Sequence, residues 1–182
     1  MDPCVYATQF PIWLKAASAR TPSELVCFRS NKRWATAAKL LERHGTRPIL
    51  FREQQDSAEE LTCRYVAELV EVHFRDRLEN DADPLAWLDE KLWLQRDTIK
   101  GLERTERFPT WEAQFKTWEI DSFMKADTWY VIRNLREIKP LPLPRLRKLD
   151  GDHPLAPNYI RGYALCHYPA AEVKVVDGSA TV

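Results

Sequence analysis

A strand–turn–helix–strand unit over residues 25–47 constrains the fold of this chain more than any other segment. The apolar run at residues 24–29 predicts a short buried strand. Asn31 then has a side chain suited to a helix N-cap, and the following apolar spacing predicts a helix that ends at Gly45. Residues 48–52 predict a second strand. The unit therefore places basic side chains at a helix N-terminus, where unpaired N–H groups favour an anion.

The remaining segments predict further strands in an order that is not alternating βαβ. A long apolar strand is expected at residues 61–74, and strands of this length usually bend, as in a small barrel. Strands return at residues 129–135 and 160–168, and a Pro-rich link and a short helical turn lie between them. Residues 1–23 lack a clear pattern and are predicted to be irregular. This order indicates an α+β protein.

The chain length fits one domain with a helical insertion. We expect a single domain over residues 1–182, with core strands at about 24–75 and 128–168. Apolar residues at helical spacing predict the insertion at about 84–127. The predicted architecture is a small, bent, mixed β-barrel with helices packed outside.

Charge is balanced overall but unevenly distributed. The 182 residues include 27 basic and 27 acidic side chains, so the formal net charge is zero. A generic polyanion binder would be basic overall, and this composition argues against one. Residues 29–47 and 133–148 are nevertheless basic, whereas residues 76–90 are acidic. The two basic segments either share a face that meets a partner or form solvated surfaces with no partner.

The turn that begins the predicted helix is the first candidate binding site. Ser30 and Asn31 can donate hydrogen bonds to a phosphate or a base edge, and Lys32 and Arg33 add positive charge. Trp34 can stack on a base. The alternative is that Asn31 only caps the helix and Trp34 only packs into the core.

Two further arginines extend this candidate interface. Arg133 belongs to the second basic segment, and Arg161 lies between aromatic residues in the segment 159–163. Gly162 predicts a bulge or a close approach of two backbones. The alternative for this segment is a bent strand with an exposed Arg161.

The order of these elements resembles a known group of folds. A strand that ends in a basic Ser-Asn turn, followed by a helix and by paired strands at 48–52 and 65–74, is similar to the opening of PUA-like barrels. The EVE, ASCH and YTH domains belong to that superfamily. The strand at 129–135 with its Pro-rich link is compatible with it, whereas the Trp-rich block at 84–127 departs from it. The resemblance covers about residues 24–75 and 128–168.

This resemblance implies a binding function. PUA-like domains bind RNA or a modified nucleobase, often in an aromatic cage that accepts a flipped base. Candidates for such a cage are Trp34, Trp118, Trp129 and Tyr159. The alternative is that these aromatic side chains fill the core or its rim.

Catalytic, metal and cofactor signatures are missing from the sequence. The four cysteines are far apart without a CxxC pair, and the four histidines have no metal-ligand spacing. We therefore expect no metal, no cofactor and a non-enzymatic protein. There is no signal peptide and no apolar run of the ~20 residues that span a bilayer, so we expect a cytoplasmic location without membrane contact.

The leading hypothesis is a module that binds DNA or RNA, with a modified base read in an aromatic pocket. A second hypothesis is a protein-interaction module that forms a homo-oligomer through Trp87, Trp93, Trp111 and Trp118. A third is a small nucleoside-type hydrolase, which the ASCH resemblance permits, although no nucleophile and base can be paired.

Overall fold

The computed structural model describes residues 2–54, 61–74, 76, 126–159 and 162–176. These residues form a mixed α+β fold, which confirms the predicted class. In chain order the elements are β1 (Asp2–Gln9), α1 (Pro11–Ser18), β2 (Val26–Ser30), α2 (Ala35–His44), β3 (Arg47–Glu53), β4 (Thr62–Phe74), β5 (Thr128–Pro142), β6 (Arg147–Lys148) and β7 (Tyr163–Tyr168). The insertion predicted at 84–127 lies outside the described residues, apart from 126 and 127.

All seven described strands belong to one open sheet, with the order β2-β5-β4-β3-β1-β7-β6. β1 and β3 run parallel, and every other neighbouring pair is antiparallel. The predicted small, bent β-barrel is wrong for the described residues, because their sheet is not closed: β2 and the two-residue strand β6 lie at opposite ends of this order.

The N-terminal segment is part of the fold, and the prediction of irregular structure for residues 1–23 is wrong. β1 lies between β3 and β7, where Cys4 pairs with Cys166 and Val5 pairs with Ile49. Its run of buried residues has no polar alternation because both faces of the strand are covered. α1 begins at Pro11, a residue suited to the first turn of a helix.

The sheet separates two hydrophobic clusters. The helix-side core lies under α1 and α2 and includes Val5, Ala7, Trp13, Phe28, Leu40 and Phe51. The rear core lies on the other face, where the chain after β5 covers the sheet, and includes Cys4, Tyr6, Leu50, Cys63, Leu146 and Cys166. Because neighbouring residues of a strand point to opposite faces, β1 and β3 each contribute to both clusters.

β4 and β5 form a long, irregular pair. β4 spans the predicted residues, and its pairing with β5 shifts register at three places, which is how long strands bend. Asn134 lies at one of these irregularities with φ of 55°. β5 is longer than predicted, since it continues through the Pro-rich segment to Pro142. Leu143–Arg145 then forms a 3-10 turn.

Candidate functional site

The turn between β2 and α2 is closed by hydroxyl groups. The Ser30 hydroxyl accepts a hydrogen bond from the Lys32 N–H at 3.1 Å. Thr128 of β5 accepts one from the Trp34 N–H at 3.2 Å and donates one to the Lys32 carbonyl at 2.8 Å. Trp34 occupies the N-cap position, so the prediction that Asn31 caps the helix is wrong. The Asn31 side chain instead accepts a hydrogen bond from Arg29.

The first turn of α2 is capped by a residue from a distant strand. The Tyr163 hydroxyl accepts a hydrogen bond from the Ala37 N–H at 3.0 Å and shares another with the Thr36 hydroxyl at 2.6 Å. Burial raises the pKa of the Tyr163 phenol, which keeps it neutral. Gly162, just before it, accepts a hydrogen bond from the Thr8 N–H at 3.0 Å, so two backbones approach closely there.

Trp34 lies inside a column of aromatic rings. Its indole stacks on Tyr130 at 4.1 Å and on Tyr163 at 4.6 Å between ring centroids, with nearly parallel planes. Two parallel rings at these distances cannot share one face of an indole, so the tyrosines cover both faces. Trp34 is only 1% exposed. The residue therefore packs the helix-side core and has no free face on which a base can stack.

Three exposed cations lie along the α2 side of the site. Lys32 precedes the helix, and Lys39 and Arg43 are four residues apart within it, so their side chains lie on one helix face. No carboxylate of the described residues lies within 4.0 Å of their nitrogens. We call Lys32, Lys39 and Arg43 the α2 basic strip. Arg33 is different, because it forms an ion pair with Asp76 at 2.9 Å.

Three of the six cations of the second basic segment form ion pairs in the described part of the protein. Arg133 Nε lies 2.7 Å from Glu68, and this hydrogen bond lowers the pKa of the Glu68 carboxyl below its ordinary value. Two more arginines of the segment are also paired, Arg145 with Glu172 and Arg147 with Asp152.

The position of Arg133 also separates it from the α2 basic strip. Tyr130 and Ile132 belong to the helix-side core, so strand alternation directs Arg133 to the opposite face of the sheet. The predicted interface residues Ser30–Trp34 and Arg133 therefore do not share a face.

The predicted aromatic cage residues lie in different places. Trp34 is in the helix-side core, whereas Trp129 is buried on the opposite face of β5. Tyr159 is half-buried against the rear core, with its ring 5.8 Å from that of Tyr6 in an edge contact. Trp118 and Arg161 lie outside the described residues.

The cysteines are packing residues. All four are buried and unbridged. Burial raises the pKa of Cys166 to about 12 and that of Cys4 and Cys63 well above the ordinary range, so these thiols stay protonated at neutral pH. Within the described residues, no group of three His, Cys, Asp or Glu side chains is arranged to hold a metal ion.

Sequence reasoning missed that Thr128, Tyr130 and Tyr163 hold the start of α2. Each lies far along the chain from the helix, so local patterns carry no signal for these contacts. No helix in the described part of the chain is long and apolar enough to cross a membrane. Comparison of the chain with protein-family models, curated proteins and solved structures finds no match.

Proposed function

We propose that this protein binds nucleic acid through the α2 basic strip. The observation that carries the proposal is a group of three exposed cations that lie before and along α2. Lys32, Lys39 and Arg43 are exposed, and no carboxylate of the described residues lies within 4.0 Å of their nitrogens. Arg133 in the second segment is already ion-paired. Exposed cations at the start of a helix and along one of its faces are suited to successive phosphates of a nucleic-acid backbone, which supply most of the affinity of such contacts.

An aromatic and polar edge lies beside the strip. Tyr163 is half-buried at the outer end of the aromatic column, and its hydroxyl contacts the exposed Thr36. In this proposal Tyr163 takes the base-stacking role that the sequence assigned to Trp34, since the indole is covered on both faces.

The PUA-like relationship and the reading of a modified base remain proposals that rest on element order. The succession of β2, the basic turn, α2, β3 and β4 supports them. The description of the open sheet requires neither the PUA-like relationship nor the recognition of a modified base. Binding by the α2 basic strip can also be tested without these two proposals.

The test is a comparison of two triple charge reversals. The site variant carries Lys32→Glu, Lys39→Glu and Arg43→Glu, and the control carries Lys15→Glu, Lys139→Glu and Lys174→Glu. All six positions are exposed, and both variants change the net charge equally. Fluorescence anisotropy with single- and double-stranded DNA and RNA, with and without modified bases, measures the affinity.

We expect the site variant to lose binding and the control to keep it, apart from a smaller effect of net charge. Equal loss in both variants would show that only overall charge matters. Unchanged binding by the site variant would remove α2 from the interface.

A further inference from the structure

A buried arginine lies on the face of the sheet opposite α2. Arg52 is two residues after Leu50 on β3, which directs its side chain to the same face as the rear core, and it is 5% exposed. Its Nε donates a hydrogen bond to the Tyr6 hydroxyl at 3.1 Å, and its Nη1 donates one to the Glu53 carbonyl at 3.2 Å. Both acceptors are uncharged groups.

The positive charge of Arg52 lacks a counter-charge in the described part of the protein. No carboxylate there lies within 4.0 Å of the guanidinium. Burial raises the pKa of Tyr6 to about 12 and the pKa of Cys63 well above its ordinary value, so neither group supplies an anion at neutral pH. An arginine cannot lose its proton in a protein, and a buried charge is costly unless it is paired.

An aromatic pair, Tyr6 and Tyr159, connects Arg52 to a second cation on the same face of the sheet. The Tyr6 ring meets the edge of Tyr159, and the Lys148 ammonium lies 5.6 Å from the centroid of the Tyr159 ring. Lys148 pairs with Cys166 across the strands, which directs its side chain to the rear-core face. No described carboxylate lies within 4.0 Å of this ammonium either.

We propose that Arg52 and Tyr6 form the centre of an oxyanion site, which takes a phosphate or carboxylate group beside Tyr159. The planar guanidinium has five N–H donors, of which the two described hydrogen bonds use two, so donors remain for a bidentate contact with such a group. The site is separate from the α2 basic strip because the two lie on opposite faces of the sheet.

Thermal unfolding of the full chain with small anions tests the site. Inorganic phosphate or acetate replaces chloride at constant ionic strength, so that general salt effects are matched. At a concentration of about one hundred times the dissociation constant, we expect the bound anion to raise Tm by roughly 5–10 °C. A rise in Tm with phosphate alone identifies the ligand of the site as a phosphoryl group, and a rise with acetate alone identifies it as a carboxylate.

Variants connect this response to Arg52. We expect Arg52→Met to abolish the rise in Tm and Arg52→Lys to weaken it, whereas Arg64→Met on the neighbouring strand keeps it, since Arg64 is exposed. If Arg52→Met does not fold, the comparison of the anion-induced rise in Tm between Arg52→Lys and the wild type tests the proposal. A wild type that responds to neither anion overturns the proposal. An equal response in the wild type and the folded Arg52 variants also overturns it.

Discussion

The indole of Trp34 lies between two tyrosine rings, and this packing determines what the residue does. A side chain that is 1% exposed and stacked on both faces contributes through burial and ring contacts. Its position at the start of α2 also connects the helix to β5 and β7, which carry Tyr130 and Tyr163. Trp34 therefore stabilises the site without facing a ligand.

Trp34→Ala is expected to lower the free energy of unfolding by about 3–5 kcal/mol, the usual cost of removing a large buried side chain. Urea denaturation measures this change. Ile12→Ala is the control, because Ile12 is an exposed residue on α1, and it should change the free energy by about 0.5 kcal/mol or less. A near-neutral Trp34→Ala would contradict the packing role.

Tyr163 stabilises α2 through its hydroxyl as well as its ring. Tyr163→Phe keeps the ring stack but removes the acceptor for the Ala37 N–H, so we expect a loss of about 0.5–2 kcal/mol, as for other helix caps. Tyr168→Phe on the same strand is the control, since no described hydrogen bond uses the Tyr168 hydroxyl. Equal stability of both variants would show that the Tyr163 cap contributes nothing.

At the scale of elements, local patterns predicted β3, β4 and the end of α2 at Gly45, whose φ is 68°, but placed the N-cap of α2 at Asn31 instead of Trp34. They failed where tertiary contacts decide the structure. β1 is buried on both faces and has no alternation, and β5 continues through prolines that read as a rigid link. The cap on α2 joins residues 126 apart in the chain, which no local pattern can predict.

The irregularity at Asn134 is a testable part of the β4–β5 pair. Asn134 has a left-handed backbone conformation that glycine adopts freely and alanine does not. Asn134→Ala and Asn134→Gly both lose the hydrogen bond to Glu68. The difference between their free energies of unfolding therefore measures the cost of the left-handed backbone conformation. We expect the glycine variant to be the more stable by about 1 kcal/mol, as measured by urea denaturation. A more stable alanine variant would contradict the left-handed conformation.

At the scale of the whole molecule, the buried thiol of Cys166 and the buried phenol of Tyr6 in the rear core predict that the protein loses stability at high pH. Burial raises the pKa of Cys166 from 9.0 to about 12 and that of Tyr6 from 10.0 to about 12. Above pH 9 the unfolded chain releases these protons and the folded chain keeps them, so the unfolded state binds fewer protons and stability falls as pH rises. The stabilisation is present below pH 9 and lost by about pH 12.

Cys166→Ala isolates one of these groups. We expect the variant to lose less of its free energy of unfolding between pH 8 and pH 11 than the wild type, because it lacks one proton that only the folded state retains. Urea titrations at the two pH values measure both losses. Identical losses would show that the Cys166 thiol does not have a raised pKa.

The distribution of charge over the molecule leads to the central claim. The chain is neutral overall. In the second basic segment, Arg133, Arg145 and Arg147 are ion-paired. The α2 basic strip is exposed on the opposite side of the sheet from Arg133. Binding through this strip should therefore involve few phosphates and depend moderately on salt.

The most direct test is the salt dependence of nucleic-acid affinity for the wild type and the α2 triple reversal. Three phosphate contacts predict that log K falls with log salt concentration with a slope of about −2 to −3, and that the reversal abolishes this dependence together with the binding. An affinity that does not change with salt, or the same slope in both proteins, would contradict nucleic-acid binding by the α2 basic strip.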